Sequence, residues 1–264
     1  MSCRRSARRT PLNRSRRFSM SIAGVAAVAL IGCSEPQADN ACTHAHAALI
    51  PAYVPPAELT RLATDSDPTR LVVVNPDSGP GAALDPAYAD VIDQLRSTGN
   101  RVLGYVSTGH GTRDPALVRT EVARYASWYK IIDIFVDEVA HDEAALPYYT
   151  ALSTALRTTA GRLIVLNPGM VPARGYFALA DIVVTFEGTF ADYHATPDPL
   201  RSVGRGLSRT RTAHLIYGAS DAQAVDVVTR HRADYVYATS GTLPNPWNTL
   251  ASSLTEQQAR LAQC

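Results

Sequence analysis

The sequence predicts an α/β protein, a single (β/α)8 barrel of the TIM type. Eight short apolar runs follow one another from residue 47 onwards, and stretches with helical spacing separate them. Runs that are apolar throughout are typical of strands buried on both faces, and such strands pair in parallel. Eight strand–helix units within about 220 residues match the size of one barrel.

Each predicted strand is a run of four to seven residues. In order they are Ala48–Val54, Leu71–Asn75, Val102–Ser107, Ile132–Glu138, Leu163–Asn167, Ile182–Glu187, His214–Tyr217 and Tyr235–Thr239. A doubly wound open sheet is the competing architecture, and it requires a Gly-rich phosphate-binding turn after an early strand. The segment Gly79-Pro80-Gly81 lacks that pattern, and no Walker box or dinucleotide fingerprint occurs elsewhere in the sequence.

Two predicted helices share one start signal. Asp85-Pro86 precedes a helical pattern that stops at Gly99, and Asp114-Pro115 precedes another. An acid at the N-cap followed by proline at the first helical position is a common way to begin a helix. The other clear helical patterns are Leu146–Leu156, Ala222–Val228 and Leu250–Leu261.

A weak internal repeat supports a barrel built from two halves. The segments Arg70-Leu-Val-Val-Val-Asn-Pro76 and Arg162-Leu-Ile-Val-Leu-Asn-Pro168 match in pattern, and each covers one predicted strand and its end.

Residues 1–32 have the pattern of a lipoprotein signal peptide. Seven arginines and no acid precede an apolar stretch over 21–31 that is too short to span a bilayer. The segment Leu30-Ile31-Gly32-Cys33 resembles a bacterial lipoprotein cleavage box, in which Cys33 would carry the lipid. An ordinary secretory signal in which Cys33 is incidental is the alternative. Residues 33–46 are small and polar, as in a flexible tether, which leaves 47–264 as the folded domain.

Removing this leader changes the charge of the chain. Without its seven arginines, 18 Lys and Arg remain against 24 Asp and Glu, so the net charge falls from +1 to −6. An acidic domain does not favour nucleic-acid binding. We expect an exported monomer that is held to a membrane only by its lipid, at the cell surface or in the periplasm.

Polar and aromatic residues collect at the ends of the predicted strands, where the active site of such a barrel lies. They are Tyr53, Asn75, Tyr105, Ser107, His110, Asp137, Glu138, Asn167, Glu187, Tyr217 and Tyr237, with Trp247 in the last loop. Rings that stack on sugar faces, together with donors and acceptors for hydroxyl groups, suit a polysaccharide. For each tyrosine the alternative is core packing with its hydroxyl satisfied.

Two of these strands end on acids, which is costly unless the carboxylates are used. Asp137 and Glu187 lie on the fourth and sixth strands, so their backbones should be about 10 Å apart and their carboxyl groups about 5–6 Å apart. That separation fits a retaining glycosidase. We predict that Asp137 is the nucleophile and that Glu187, beside Phe186, is the acid/base. Glu138 should point away from the scissile bond and steady the sugar or the nucleophile.

Other chemistries lack their residues. No Gly-x-Ser-x-Gly elbow is present, and no His/Cys cluster has the spacing of metal ligands. The pair His44 and His46 precedes the first strand and is assigned to the tether. We expect neither a metal nor a cofactor.

Two cysteines remain for a disulfide. Cys3 leaves with the leader and Cys33 would be acylated, which leaves Cys42 and Cys264 in an oxidising compartment. In a barrel the start of the first strand and the end of the last helix lie at the same face. We therefore predict a bond between these two cysteines.

Five motifs occur together within residues 47–260: Leu49-Ile-Pro-Ala-Tyr53, Val74-Asn-Pro-Asp-Ser-Gly-Pro-Gly81, Gly104-Tyr-Val-Ser-Thr108, Ile134-Phe-Val-Asp-Glu138 and Thr185-Phe-Glu-Gly188. Together they resemble the spherulin-4 family, a group of the glycoside hydrolase family 135 type. Some members cut α-1,4-linked N-acetylgalactosamine in microbial exopolysaccharides. The resemblance implies a barrel, retaining hydrolysis without a metal, and essential acids at Asp137, Glu138 and Glu187.

The sequence thus favours an endo-glycosidase of an amino-sugar exopolysaccharide. The alternative is a non-catalytic surface protein that binds polysaccharide with the same residues. A metal-dependent deacetylase would lack its ligands.

Overall fold

The computed structural model describes residues 47–64, 70–158, 161–197 and 211–263. Its eight strands form one parallel sheet in which each strand pairs with the next along the chain. They are Leu49–Ala52 (β1), Leu71–Val74 (β2), Arg101–Ser107 (β3), Asp133–Asp137 (β4), Ile164–Leu166 (β5), Ile182–Thr189 (β6), Arg211–Tyr217 (β7) and Tyr235–Ala238 (β8). A parallel bridge between Ala47 and Tyr235 brings the first strand beside the last. The predicted (β/α)8 barrel is confirmed.

Helices connect the strands. They are Pro56–Ala63 (α1), Pro86–Ser97 (α2), Pro115–Tyr129 (α3), Leu146–Leu156 (α4), Phe190–Ala195 (α5), Asp221–Thr229 (α6) and Leu254–Leu261 (α7). The sequence patterns missed α1 and α5, which are short. They also started α7 at Leu250, whereas the N–H of Ala251 donates to the Tyr237 hydroxyl at 2.9 Å, outside the helix.

Strand boundaries agree with the sequence patterns to within two residues, except at the start of β7. That strand begins at Arg211, three residues before the predicted His214, because Arg211 and Thr212 pair with Ile182 and Val183 of β6. A polar residue can start a strand when its backbone pairs with a neighbouring strand. A search for runs of apolar residues does not detect such a start.

The barrel core is closely packed at β3. A Cβ on Gly104 would lie 2.6 Å from the ring of Tyr125, so only glycine lets α3 approach this strand. The Tyr125 hydroxyl donates to the carbonyl of Val74 on β2, at 3.3 Å. One buried tyrosine therefore fixes a helix against two strands.

Ion pairs lie at the end of the barrel where the strands begin. Arg101 on β3 donates to Asp133 on β4, at 2.5 and 3.0 Å, and Asp133 also accepts from the N–H of Leu163 at 2.7 Å. Arg157 pairs with Asp181 at 2.9 Å in the same way. A cavity of about 540 Å³ at this end is lined by these arginines and by Asp181. The first pair ties β3 to β4, and the second ties the end of α4 to the start of β6, so this end has a structural role.

The predicted leader, the tether, Cys33 and both cysteines of the predicted disulfide, Cys42 and Cys264, lie outside the described residues. Within the described residues, no helix is long and apolar enough to cross a membrane.

Candidate active site

A cavity of about 460 Å³ opens where the strands end. Its lining residues come from the ends of several strands and from the loop after β8: Tyr53, Asn75, Tyr105, Asp137, Gly169, Glu187, Tyr217 and the segment Leu243 to Trp247. Seven of the side chains that the sequence assigns to the site therefore share one cavity.

A short loop after β5 holds both acid-bearing strands. The N–H of Asn167 donates to the carbonyl of Val136, next to Asp137, at 2.8 Å, and the N–H of Glu187 donates to the carbonyl of Gly169 at 2.8 Å. Gly169 has a φ of +68°, in the left-handed region that favours glycine. The backbones on either side of the cavity are thus tied to the same loop.

The side chain of Asn167 joins the two acids. Its Nδ2 donates to Asp137 Oδ1 at 2.7 Å and to Glu187 Oε2 at 2.6 Å. Its Oδ1 accepts from the N–H of Gly169 at 3.0 Å, which fixes the orientation of the amide because only the oxygen can accept. The two bonded carboxylate oxygens are consequently at most about 5.3 Å apart, the sum of those two distances.

Asn167 is one of the residues predicted to bind substrate. It is only 5% exposed, and its amide nitrogen donates to both acids. Its contacts in this structure are therefore with Asp137 and Glu187.

The surroundings of Glu187 favour its protonated form. Burial, followed by the nearby Asp137 carboxylate, raises the pKa of Glu187 to about 7. Two donors oppose this rise, Asn167 and the indole of Trp247, whose Nε1 lies 3.3 Å from Glu187 Oε1. A carboxyl group that holds its proton near neutral pH can act as a general acid.

Asp137 is buried too, but it has more donors. Burial raises the pKa of Asp137 above its usual value, and the charge of Glu138 adds to the rise. The N–H of Glu138, the amide of Asn167 and the hydroxyl of Tyr105 oppose it by hydrogen bonding to the carboxylate. Burial and the charge of Asp137 raise the pKa of Tyr53, whose ring packs edge-on against Tyr105 with centroids 5.3 Å apart. Asp137 thus has three donors that favour its anion, against two at Glu187.

Aromatic residues form the other side of the cavity. Trp247 packs edge-on against Tyr217, with ring centroids 6.2 Å apart, and at a tilt against Tyr237, with centroids 6.1 Å apart. Tyr237, which the sequence also assigns to substrate binding, has no exposed surface and is not among the residues that line the cavity. It lies in the core beside Trp247, and its hydroxyl accepts from Ala251.

Glu138 follows Asp137 directly after the end of β4. It has a φ of +49° and its side chain is exposed. Ser107 donates to its Oε2, and the N–H of His110 donates to its carbonyl at 2.7 Å. Ser107, Glu138 and His110 are not among the residues that line the cavity, so they form a separate polar group at its rim.

Sequence reasoning missed the loop before Trp247. Leu243, Pro244, Asn245 and Pro246 all line the cavity, and Leu243 is 67% exposed. The signal was available, since a Pro-rich segment after the last strand must lie at this end of the barrel. Gly169 was missed as well, because its contribution is a backbone carbonyl.

The described residues hold no group of three His, Cys, Asp or Glu side chains that could bind a metal ion. The acids of the cavity instead contact an amide, a phenol and an indole.

Comparison with known proteins agrees with the motifs in the sequence. The model of the family described as spherulation-specific family 4 matches residues 47–260. The chain belongs to this family. The resemblance to spherulin-4 is therefore confirmed, and the match covers every strand and helix of the barrel except the last residue of α7.

Two relatives in this comparison differ in coverage. Spherulin-4 of Physarum polycephalum is 31% identical over 145 residues, which are 53% of this chain and 44% of the relative. The chain thus spans less than half the length of that curated relative. The crystal structure of Aspergillus clavatus Sph3 in complex with GalNAc matches with a TM-score of 0.72 and 25% identity, over 83% of this chain and 98% of that one.

Proposed function

We propose that this spherulation-specific family 4 protein is an exported, lipid-anchored, retaining endo-glycosidase. Its proposed substrate is an amino-sugar exopolysaccharide of the α-1,4-linked N-acetylgalactosamine type. The observation that carries the proposal is the pair Asp137 and Glu187, held at most about 5.3 Å apart through Asn167. Retaining glycosidases have their two carboxyl groups about 5–5.5 Å apart, and inverting enzymes need more room for a water.

In the first step Asp137 forms a bond to the anomeric carbon and the glycosidic C–O bond breaks. Glu187 gives its proton to the departing oxygen. This assignment follows from the surroundings of each acid, since Glu187 keeps its proton to about pH 7 and Asp137 has three donors that favour its anion.

In the second step water attacks the anomeric carbon and Asp137 is released. Glu187, now a carboxylate, takes the proton of that water. Glu138 lies outside the pair, so its proposed part is to bind the sugar at the rim with Ser107.

The cavity lining supports a substrate without negative charge. Among the described residues that line it are two acids, two amides and several aromatic rings, but no lysine or arginine. Aromatic rings suit the apolar faces of sugars, while a polymer of uronic acids would meet like charge. The complex of Sph3 with GalNAc supports an amino sugar.

Two substitutions test the proposal, Asp137→Ala and Glu187→Ala. The purified domain is incubated with a panel of exopolysaccharides, and new reducing ends are measured. Each substitution should abolish turnover while the fold and polysaccharide binding remain. Azide should restore cleavage to the nucleophile variant, with a glycosyl azide of inverted configuration as its product.

Glu143→Ala is the control, because Glu143 is an exposed acid in the loop after β4 and should leave turnover unchanged. If both variants keep near-wild-type activity, the assignment of the acids is wrong. If the wild type binds polysaccharide but releases no reducing ends from any polymer, the protein is a non-catalytic binding protein instead.

A further inference from the structure

We propose that Asn167 is a positioning residue that sets the distance between Asp137 and Glu187 and, by donating to both, fixes the pH range in which they work. This inference rests on the proposed function for its kinetic test. Asp137 and Glu187 cannot set the distance between themselves, and we assign this task to the side-chain amide of Asn167.

The distance between the two acids has to be held by a group outside the pair. Two carboxyl groups in one cavity repel each other when both are ionised, so nothing in the pair itself keeps them close. A single nitrogen with two hydrogens can donate to both, and the distances of 2.7 and 2.6 Å show that it does. The amide cannot rotate out of this role without losing the bond from Gly169 to its oxygen.

The backbone of the loop after β5 contacts both acid-bearing strands. The same loop that carries Asn167 also accepts from the N–H of Glu187 and donates to the strand of Asp137. Side chain and backbone thus fix the same distance, which a flexible donor or a water could not do as firmly.

The amide of Asn167 also changes the pKa of both acids. An N–H donor stabilises the charged form of a carboxyl group, so Asn167 lowers the pKa of Asp137 and of Glu187 together. Without it both acids should keep their protons to higher pH. Asp137 would then be neutral over part of the range in which it must attack.

The protein contains a natural comparison for this role. Asn75, at the end of β2, also lines the cavity, and its Oδ1 accepts from the N–H of Gly79 at 2.7 Å, much as Asn167 accepts from Gly169. Both asparagines occupy the same position in the internal repeat. Only Asn167 contacts the acids.

The experiment compares Asn167→Ala, Asn167→Asp and Asn75→Ala with the wild type, using kcat and KM on a cleaved polysaccharide across pH. Asn167→Ala should lower kcat by about 100-fold with little change in KM, since misplaced groups mainly affect the transition state. Both limbs of its pH profile should move to higher pH by about one unit, the effect of losing one hydrogen bond to a charged group.

Asn167→Asp should behave in the opposite way. It keeps the shape and the bond from Gly169, but its carboxyl group must be protonated to donate to either acid. Its residual activity should therefore be greatest at lower pH than in the wild type. Asn75→Ala should not move the pH profile. A general loss of folding would not shift the two Asn167 variants in opposite directions.

A second measurement does not depend on activity. Asp and Glu carboxyl groups labelled with ¹³C are titrated by NMR in the wild type and in Asn167→Ala, and the two acids are assigned with Asp137→Asn and Glu187→Gln. Glu187 should titrate near 7 in the wild type and higher in the variant. The proposed role of Asn167 is overturned if Asp137 and Glu187 titrate in Asn167→Ala as they do in the wild type. It is also overturned if the variant keeps the wild-type kcat and both limbs of its pH profile stay in place. If the wild type cleaves no polysaccharide but the titration shifts, the proposed function fails and the role of Asn167 stands.

Discussion

Glu187 binds its proton more tightly in the folded protein than in the unfolded chain. Its pKa rises from the usual 4.5 to about 7, because burial and the charge of Asp137 disfavour the carboxylate. A group with a raised folded pKa contributes stability at low pH and loses it as the pH rises through that range. The loss should occur between pH 4.5 and about 7, so the residue that we propose as the general acid weakens the fold at neutral pH.

Glu187→Gln should remove this pH dependence. Relative to the variant, the wild type should lose on the order of 3 kcal/mol of unfolding free energy between pH 4.5 and 8, as an upper value. Urea unfolding at several pH values measures the difference. Glu143→Gln, at an exposed acid, is the control. A constant difference between wild type and Glu187→Gln across this range contradicts the raised pKa.

At the level of the elements, the starts of α2 and α3 have the caps that the sequence predicts. Asp85 accepts from the N–H of Ala87 at 2.8 Å and of Tyr88 at 3.3 Å. Asp114 accepts from the N–H of Ala116 at 2.8 Å. In both helices proline follows at the first position, where no N–H is needed.

Asp85→Ala should lower the unfolding free energy by about 1 kcal/mol, since the first turn of α2 loses its side-chain acceptor. Asp85→Asn is the matched control: it removes the same charge but keeps an acceptor, and it should stay close to the wild type. Urea unfolding of the wild type and both variants distinguishes the effect of the capping hydrogen bond from the effect of the charge. Equal losses in both variants would mean that the charge, and not the cap, stabilises this helix.

Strand β6 has an irregularity that affects the site. Its register with β7 shifts between Val184 and Phe186, so Thr185 is an extra residue. Beyond this bulge Phe186 packs on Tyr193, with ring centroids 5.0 Å apart, and Glu187 faces Asn167. Bulges often re-aim a side chain beside an active site, and here the re-aimed side chain is Glu187.

At the scale of the whole molecule, the proposed anchor would place the barrel outside the cytoplasm. The cleavage-box pattern ending at Cys33 predicts lipidation, and the polar segment that follows predicts a tether. When cells are grown with a palmitate analogue, the wild-type protein should become labelled and the Cys33→Ala variant should not. Equal labelling of both proteins would contradict the lipoprotein assignment.

The predicted bond between Cys42 and Cys264 also concerns the whole chain. Closing a loop of this length should contribute at the upper end of the range for disulfides, roughly 5 kcal/mol if chain entropy dominates. Alkylation of the mature protein followed by mass spectrometry tests it. Two alkylated thiols without prior reduction would refute the bond, and alkylation of both cysteines only after reduction would support it.

The sequence alone determined the architecture and predicted that two acids from different strands lie in one cavity. Runs such as Leu71–Val74 are apolar because both faces of the strand are buried, and this property is local enough to read from consecutive residues. In a parallel barrel all strand ends meet at one face, so Asp137 and Glu187 had to be neighbours.

Only the tertiary structure decided what each side chain at that face does. Asn167 and Asn75 follow similar strands in similar segments, yet only Asn167 lies between two acids. Tyr237 is buried while Tyr217 lines the cavity, and a bulge at Thr185 precedes Glu187. These differences depend on register and on contacts between residues far apart in the chain. Local periodicity fixes which residues are buried on a strand, but it carries no information about which distant group each one meets.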